Sequence, residues 1–355
     1  MSSVELPLAR FLARCHSDFS KDDSGEVAAY IPELSLANPS DFGIAVTTVD
    51  GFVYEMGDSN VEFTIQSISK AFVFALALES AGPDRVETVV GVEPSGDAFN
   101  SIRLRSDNRP FNPMVNAGAI ACTGLICESE GGNAFARLHD TLSSFAGRRL
   151  DVDEATFQSE RATGDRNRAI AYLLRNHGVL VGDVDQVLDV YFRQCALRVS
   201  ARDLSVRAAT FSHKGRNPLT SEQVVSSYAV ARTLSVMTSS GMYDSAGRWL
   251  YRVGIPAKSG VGGGIVAALP SQLGFGTYSP RIDDQGNSVR GLRTCEALSM
   301  HYGLHMLKGS ATCVPASRPA TMSAAFRRAA TASHASRPSW KPTMPSVRSW
   351  NSQVR

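Results

Sequence analysis

Phe63-Thr64-Ile65-Gln66-Ser67-Ile68-Ser69-Lys70-Ala71-Phe72, continuing as Val-Phe-Ala-Leu-Ala-Leu to residue 78, is the stretch from which the fold of this chain can be read. The run Ala71 to Leu78 has no polar face, so it predicts a helix buried on all sides, closing near Gly82-Pro83. Such a core helix carries Ser67 and Lys70 on its first turn. Residues three apart share a helix face, so the hydroxyl of Ser67 and the amine of Lys70 come within reach of each other: a nucleophile beside a base. The positive end of the helix dipole and burial both disfavour the charged amine, which pushes Lys70 towards the neutral form that can accept a proton. The plainer reading of an isolated Ser-x-x-Lys is a helix cap with a snorkelling lysine. Ser69 is a weaker nucleophile candidate, because no lysine or histidine follows it at helical spacing.

The chain has 355 residues, 43% hydrophobic and 20% charged, enough to bury a large core in one large domain or two closely packed ones. Its net charge of +2 arises from 36 basic against 34 acidic residues and gives no reason to expect a nucleic-acid partner. Met1 to Phe19 lacks an apolar signal-type segment, and no run approaches the roughly 18 apolar residues of a membrane span. A cytoplasmic protein without membrane contact is therefore expected. The cysteines, Cys15, Cys122, Cys127, Cys195, Cys295 and Cys313, form no CxxC pair and no metal-ligand spacing, and read as reduced thiols.

Outward from the central stretch, residues 4 to 18 read as an amphipathic helix on Leu6, Leu8, Phe11 and Leu12. Gly43 to Val49 and Phe52 to Tyr54 are strand-like and joined by Asp50-Gly51, a hairpin signal. From about 95 to 250 the pattern is largely helical. Ser200 with Asp203, and Thr220 with Gln223, resemble capping-box starts, and Gly241 reads as the stop of the second helix. Strand character returns at Ile265 to Leu269 and Leu273 to Tyr278, followed by a turn at Asp283 to Asn287 and a last helix from about Leu292 to Leu307. Strands at both ends with helices between predict that the ends pair. The expected architecture is an antiparallel sheet covered by helices, with an inserted helical region and the active site at the seam. Beyond about Gly309 the composition shifts to Ala, Ser, Arg, Thr and Pro without periodicity, which predicts a disordered basic tail over 309–355.

Lys258-Ser259-Gly260-Val261-Gly262-Gly263-Gly264 adds a second constellation, a Lys-Ser-Gly before a strand with glycines that let the backbone approach a ligand. Ser-x-x-Lys followed by a later Lys-Ser-Gly is the pairing of the serine penicillin-recognising enzymes. Between them, Ser159 to Arg168 packs a carboxylate, an amide and arginines into ten residues. A carboxylate such as Glu160 suits an ammonium, and amides such as Asn116 and Asn167 suit a carboxylate, so an α-amino acid could be held at both ends. Without other support that segment reads as a solvated loop with surface ion pairs.

Five stretches together resemble one family: Gln-Ser-Ile-Ser-Lys at 66–70, Asn-Pro-Met-Val-Asn-Ala-Gly-Ala-Ile at 112–120, Ser-Glu-Arg-Ala-Thr-Gly-Asp-Arg-Asn at 159–167, Gly-Met-Tyr-Asp at 241–244 and Pro-Ala-Lys-Ser-Gly-Val at 256–261. In this order they are similar to the signatures of the serine-dependent glutaminases, over roughly residues 25 to 308. The resemblance implies a β-lactamase/transpeptidase-like α/β (α+β) fold, with sheet from 25–65 and 250–308 and a helical insertion over about 88–250. It also implies hydrolysis of L-glutamine to L-glutamate and ammonia, no cofactor or metal, and a homotetramer or homodimer. By the same resemblance Ser67 is the nucleophile and Lys70 its base, Tyr30 and Tyr243 are active-site tyrosines, and Asn116, Glu160, Asn167 and Tyr191 bind substrate. Val261 would complete an oxyanion hole with the Ser67 amide. The tail 309–355 has no counterpart in these motifs, and the ankyrin repeats of animal members are missing. Two other functions fit the same residues, a different acyl hydrolase on this fold and an amino-acid-binding module with a silent site.

Overall fold

The computed structural model describes residues 7–96 and 101–308. Strands β1 (Glu26–Val27), β2 (Gly43–Thr48), β3 (Val53–Gly57) and β4 (Phe63–Thr64) come early in the chain and β5 (Arg198–Val199) in its middle. Late in the chain come β6 (Ala257–Gly260), β7 (Gly264–Leu269), β8 (Leu273–Tyr278) and β9 (Arg281–Ile282). The main sheet has the order β3-β2-β8-β7-β6, while β1 pairs with β9 and β4 with β5. All these pairings are antiparallel, and the two ends of the chain meet where Val46 lies opposite Phe275. The β2–β3 hairpin turns at Asp50-Gly51, where Gly51 has φ +89°, a backbone that other residues adopt only with strain. β3 runs on to Gly57, three residues beyond the strand read from sequence.

Helix α1 (Pro7–Phe19) precedes the sheet. Between the early and late strands run α2 (Ser69–Ala81), α3 (Pro83–Val89), α4 (Asn116–Glu130), α5 (Ala134–Ala146), α6 (Glu154–Thr163), α7 (Asp165–Asn176), α8 (Val184–Cys195), α9 (Ala201–Ser212), α10 (Ser227–Ser240) and α11 (Ala246–Arg252). Helix α12 (Val289–Tyr302) follows the last strand. Alternation along β7 separates two cores: Ile265 and Ala267 join Ile44, Val46, Phe275, Leu12 of α1 and Leu298 of α12, while Val266 and Ala268 join the helical side. β7 is therefore apolar throughout, as a strand covered on both faces must be.

On the helical side α9 lies against the sheet through two glycines. A Cβ on Gly274 would sit 2.2 Å from the Ala209 nitrogen, and one on Gly276 2.0 Å from the Ala201 carbonyl oxygen. Thr47 of β2 meets Ser205 of α9 at 2.7 Å, hydroxyl to hydroxyl. Since backbone rather than a flexible side chain blocks the space, we predict that Gly274→Ala lowers the unfolding free energy by at least about 1–3 kcal/mol. Denaturant unfolding checks this, and an unchanged midpoint would mean that helix and sheet are not so closely seated.

Every residue of α2 from Ser69 to Leu78 is buried, as its missing polar face predicts. Each large apolar side chain so buried contributes about 2 kcal/mol. Phe72 stacks on Phe211 of α9 and meets Phe145 of α5 edge-on, both with ring centroids 4.9 Å apart. The fully buried Arg207 of α9 lies 4.9 Å over the Phe72 ring. The helix that carries Lys70 is thus fixed to the helix that lies on the sheet.

Three expectations are corrected. Ser67 is not inside the helix but on a 3-10 turn, Gln66–Ile68, that leads into it. The start read at Thr220 falls in a loop organised by Asn217, whose Oδ1 accepts from the amides of Leu219 and Thr220, and the helix begins only after Ser226. The last helix spans Val289–Tyr302, because Ser288 caps its start and Gly303, in the left-handed conformation, stops it. The capping box at Ser200 and Asp203 is present in full, and Gly241 does follow α10. The five cysteines within the described residues are all free thiols. The predicted tail 309–355 and Cys313 lie outside the described residues.

Candidate active site

The turn that bears Ser67 is held by the backbone around it. Gln66 has φ +49°, a left-handed conformation that is unfavourable for a residue with a side chain. The glycines after Ser259 make the accommodation possible. A Cβ on Gly262 would meet the Thr64 carbonyl oxygen at 2.9 Å, and one on Gly260 would meet Ile68 Cγ1 at 3.0 Å. What approaches this glycine-rich segment is therefore the chain's own 64–68 turn, where the sequence suggested a ligand. The result is that Ser67 stands against the end of β6.

Around Ser67 the structure gathers residues from widely separated elements. Lys70, 1% exposed on the first turn of α2, donates from Nζ to Asn116 Oδ1 at 2.6 Å. Asn116, the first residue of α4, donates in turn from Nδ2 to Asn167 Oδ1 of α7 at 2.9 Å. Tyr243 opens a 3-10 turn, Tyr243–Ser245, with φ +51°. Its hydroxyl donates to the Ser259 carbonyl at 3.0 Å and is also hydrogen-bonded to the Ser67 side chain. A phenol has one proton, so with that proton on Ser259 it is Ser67 that donates to Tyr243. Burial raises the pKa of Tyr243, so it remains a neutral phenol at physiological pH.

Glu160 on α6 accepts from the Gln66 amide, while its Oε2 is buried with no hydrogen-bond partner among the described residues. Burial pushes the Glu160 carboxyl up to about 8, against the opposing pull of Lys70 and the Gln66 hydrogen bond. Burial also brings the Lys70 amine down to about 8, against the pull of Cys195 and Glu160 in the other direction. Tyr191 on α8 is 3% exposed and hydrogen-bonds Cys195; burial first, then neighbouring charges, hold its pKa well above the usual phenol range. Tyr30 is 57% exposed as a residue, yet its hydroxyl end is buried and raised likewise, with Glu160 and Tyr243 adding to the effect. Val261 follows β6 and packs with Ala28, Ile31 and Leu34, which ties the Tyr30 segment to the strand end. Neither the Ser67 nor the Val261 amide is used in the turn and loop hydrogen bonds nearby.

The site also contains residues to which sequence reasoning gave no role. Lys258 is fully buried, donates from Nζ to the Ser259 carbonyl at 2.6 Å and lies 4.0 Å over the Tyr243 ring. Burial, then Lys70, lowers its pKa well below the usual lysine value. The Ser259 hydroxyl is buried without a partner. The Lys-Ser-Gly motif pointed to this strand, but Gln66, which orients Glu160, has no sequence signal beyond its place before Ser67. A cavity of about 400 Å³ is lined by Val261, Gly262, Thr64 and Thr156 together with Glu33 and Asp41. Ser67 and Lys70 are not in its wall. Among the described residues no group of His, Cys, Asp and Glu has the arrangement of a metal site, and no helix is long and apolar enough to cross a membrane.

Taken together, this is a hydroxyl on a strained turn, two buried amines, neutral phenols, a pair of linked amides, and a carboxyl oxygen buried without a hydrogen-bond partner. Such a set can carry acyl transfer from a small zwitterionic amide. Comparison with known proteins gives concordant findings. The Glutaminase family model matches residues 25–307. Glutaminase 2 of Bradyrhizobium diazoefficiens is 69% identical over 305 residues, which are 86% of this chain and 49% of that protein. The chain thus spans about half the length of that relative. Glutaminase of Microcystis aeruginosa is 49% identical, covering 84% of this chain and 89% of that one. Among solved structures, Mglu in its glutamate form superposes with a TM-score of 0.81 at 44% identity, over 86% of this chain and 71% of that chain. The architecture is accordingly the serine β-lactamase-like one, as the sequence led one to expect.

Proposed function

The chain belongs to the glutaminase family, and from that premise we propose that it hydrolyses L-glutamine to L-glutamate and ammonia through a γ-glutamyl ester on Ser67. The observation that carries the reading is a Glu160 carboxyl that takes the side chain of Gln66, the residue before Ser67, and keeps its Oε2 buried without a hydrogen-bond partner, while burial lowers the Lys70 amine to about 8. In this mechanism the α-ammonium of glutamine rests on Glu160 and its α-carboxylate on Asn116, Asn167 and Tyr191. The side-chain amide carbon then lies over the Ser67 oxygen. Lys70 draws off the hydroxyl proton, directly or through Tyr243, as Ser67 attacks. The C–N bond breaks when the nitrogen leaves as ammonia, carrying a proton relayed by Tyr243 or Tyr30. Water then opens the ester by the same route in reverse. The amides of Ser67 and Val261 hold the oxyanion, and each such donor is worth about 3 kcal/mol of barrier.

Ammonia release measured side by side with glutamine, asparagine and, by colour, nitrocefin tests the proposal. We expect ammonia from glutamine and no nitrocefin turnover. Nitrocefin turnover without ammonia from glutamine would make the chain a different acyl hydrolase, and calorimetric binding of glutamine without turnover would make it a binding module. Glu160→Gln removes the charge that pairs with the ammonium and should lower kcat/KM by roughly 30- to 200-fold, about 2–3 kcal/mol. Steady-state kinetics check this; unchanged kcat/KM would separate Glu160 from substrate binding. A homotetramer or homodimer is part of the same proposal, supported by the family resemblance and testable by light scattering.

A further inference from the structure

We propose that Lys258 is a positioning residue for the hydrolysis, acting through Tyr243: its amine holds the phenol where that oxygen can receive the Ser67 hydroxyl. The inference rests on the glutaminase reading and adds to it a residue that works one step removed from the nucleophile.

Strand β6 is the last in its sheet, so one row of its peptide groups faces away from β7 and needs partners elsewhere. Ser259 belongs to that row: its amide donates to the Gly241 carbonyl at 3.2 Å, and its own carbonyl points to the same side. Two donors meet on that carbonyl, the Tyr243 hydroxyl at 3.0 Å and Lys258 Nζ at 2.6 Å. A carbonyl oxygen has two lone pairs, so both are taken. The phenol proton thereby has a fixed destination, and the lone pairs of the phenol oxygen are left to receive Ser67.

Lys258 also fixes the ring. Its Nζ lies 4.0 Å from the Tyr243 ring centroid, a contact that an N–H makes favourably without a net charge. The turn at Gly286, with φ +84°, closes on the ring edge: a Cβ there would sit 3.6 Å from Tyr243 Cε2 and 3.4 Å from Val261 Cγ1. Tyr243 needs such support, because its own backbone is left-handed at φ +51°. The fold gives no reason of its own for an amine at this position. Lys258 lies opposite Val266 of β7, which packs into the helical core, and it is fully buried. Among the described residues no carboxylate pairs with it, and the neighbouring charge that acts on it is the like charge of Lys70. An apolar side chain would fill the same space without desolvating an amine. Position 258 thus carries a group that the core would not select for itself, the pattern expected of a functional residue.

The test is a double-mutant cycle on the intact protein. kcat and KM for glutamine are measured in the parent, Lys258→Met, Tyr243→Phe and the double variant, each checked for a native circular dichroism spectrum. We expect Lys258→Met to lower kcat about 10- to 100-fold, with KM changed less than about threefold. In the Tyr243→Phe background the same substitution should cost nothing further, because the hydroxyl on which it acts has gone. An unchanged kcat, or losses that multiply, overturns the inference. So does a raised KM with kcat intact, which would make Lys258 a ligand of the substrate. Lys258→Gln, which keeps an N–H for the Ser259 carbonyl, is carried through the same cycle; failure of both Lys258 variants to fold would make the lysine a requirement of the fold and overturn the inference as well. Ammonia release by the parent is read separately. Its absence defeats the proposed function, whereas turnover with multiplied losses defeats this inference alone.

Discussion

Ser67→Ala should abolish ammonia release from glutamine, with kcat reduced by about four orders of magnitude or more, while the protein stays folded. The size follows from the role: without the hydroxyl no ester can form, and only binding and the oxyanion donors remain. The fold should tolerate the change, because Ser67 sits on a short 3-10 turn and its side chain is bound to Tyr243 rather than to the framework of either core. Glutamine binding to the variant, measured by calorimetry, separates a lost nucleophile from a lost pocket. Ammonia release at the parent rate would remove Ser67 from the reaction.

Lys70→Met has the second largest expected effect, a fall in kcat of about 10³-fold or more. Methionine keeps most of the volume in a site that is 1% exposed, so the change tests the amine and not a cavity. The parent's pH dependence has a definite sign. The base must be neutral, and the amine has its folded pKa lowered from 10.5 to about 8, so the rate should climb as pH rises through about 8. Stability follows the same linkage. Folded Lys70 gives up its proton above about 8 while the unfolded chain holds it up to 10.5, so this residue's contribution is present above that range and is lost as pH falls through about 8. Lys70→Met should flatten both profiles, in kcat and in denaturant midpoint against pH. An intact rising limb in the variant would assign it to another group.

How much of this could be read from the sequence depended on whether the deciding physics was local. The buried helix was legible because an eight-residue apolar run allows no solvent-facing side, and the β2–β3 hairpin because Asp-Gly suits its turn. Val46 opposite Phe275 was legible only as a consequence, since strands at both ends must find partners. Thr220 was misread as a helix start because its polar neighbours serve Asn217. That side chain also donates to the Ser144 carbonyl of α5, so the loop is fixed by a contact 73 residues away. The true cap, Ser226, is held by Glu79 at the end of α2, another distant partner. In the site, Ser67 and Lys70 were singled out by helical spacing, although Ser67 lies on the 3-10 turn before the helix. Glu160, Asn167 and Tyr191 sit on three different helices; Glu160 and Asn167 stood out as a carboxylate and an amide fit for the two ends of an amino acid, whereas Tyr191 was named only through the family resemblance. The left-handed backbone of Gln66 and the phenol that meets Ser67 are three-dimensional facts without a local signature.

The groups assembled around the Ser67 hydroxyl span the chain from Tyr30 to Val261 and are contributed by the helical layer, strand β6 and the turns and loops between. No contiguous fragment holds a working subset. Turnover is therefore an all-or-nothing gauge of assembly: during refolding, ammonia should begin to accrue only after the slowest-docking segment has arrived, and a proteolytic nick anywhere between those positions that lets pieces drift apart should silence the molecule as completely as loss of the nucleophile.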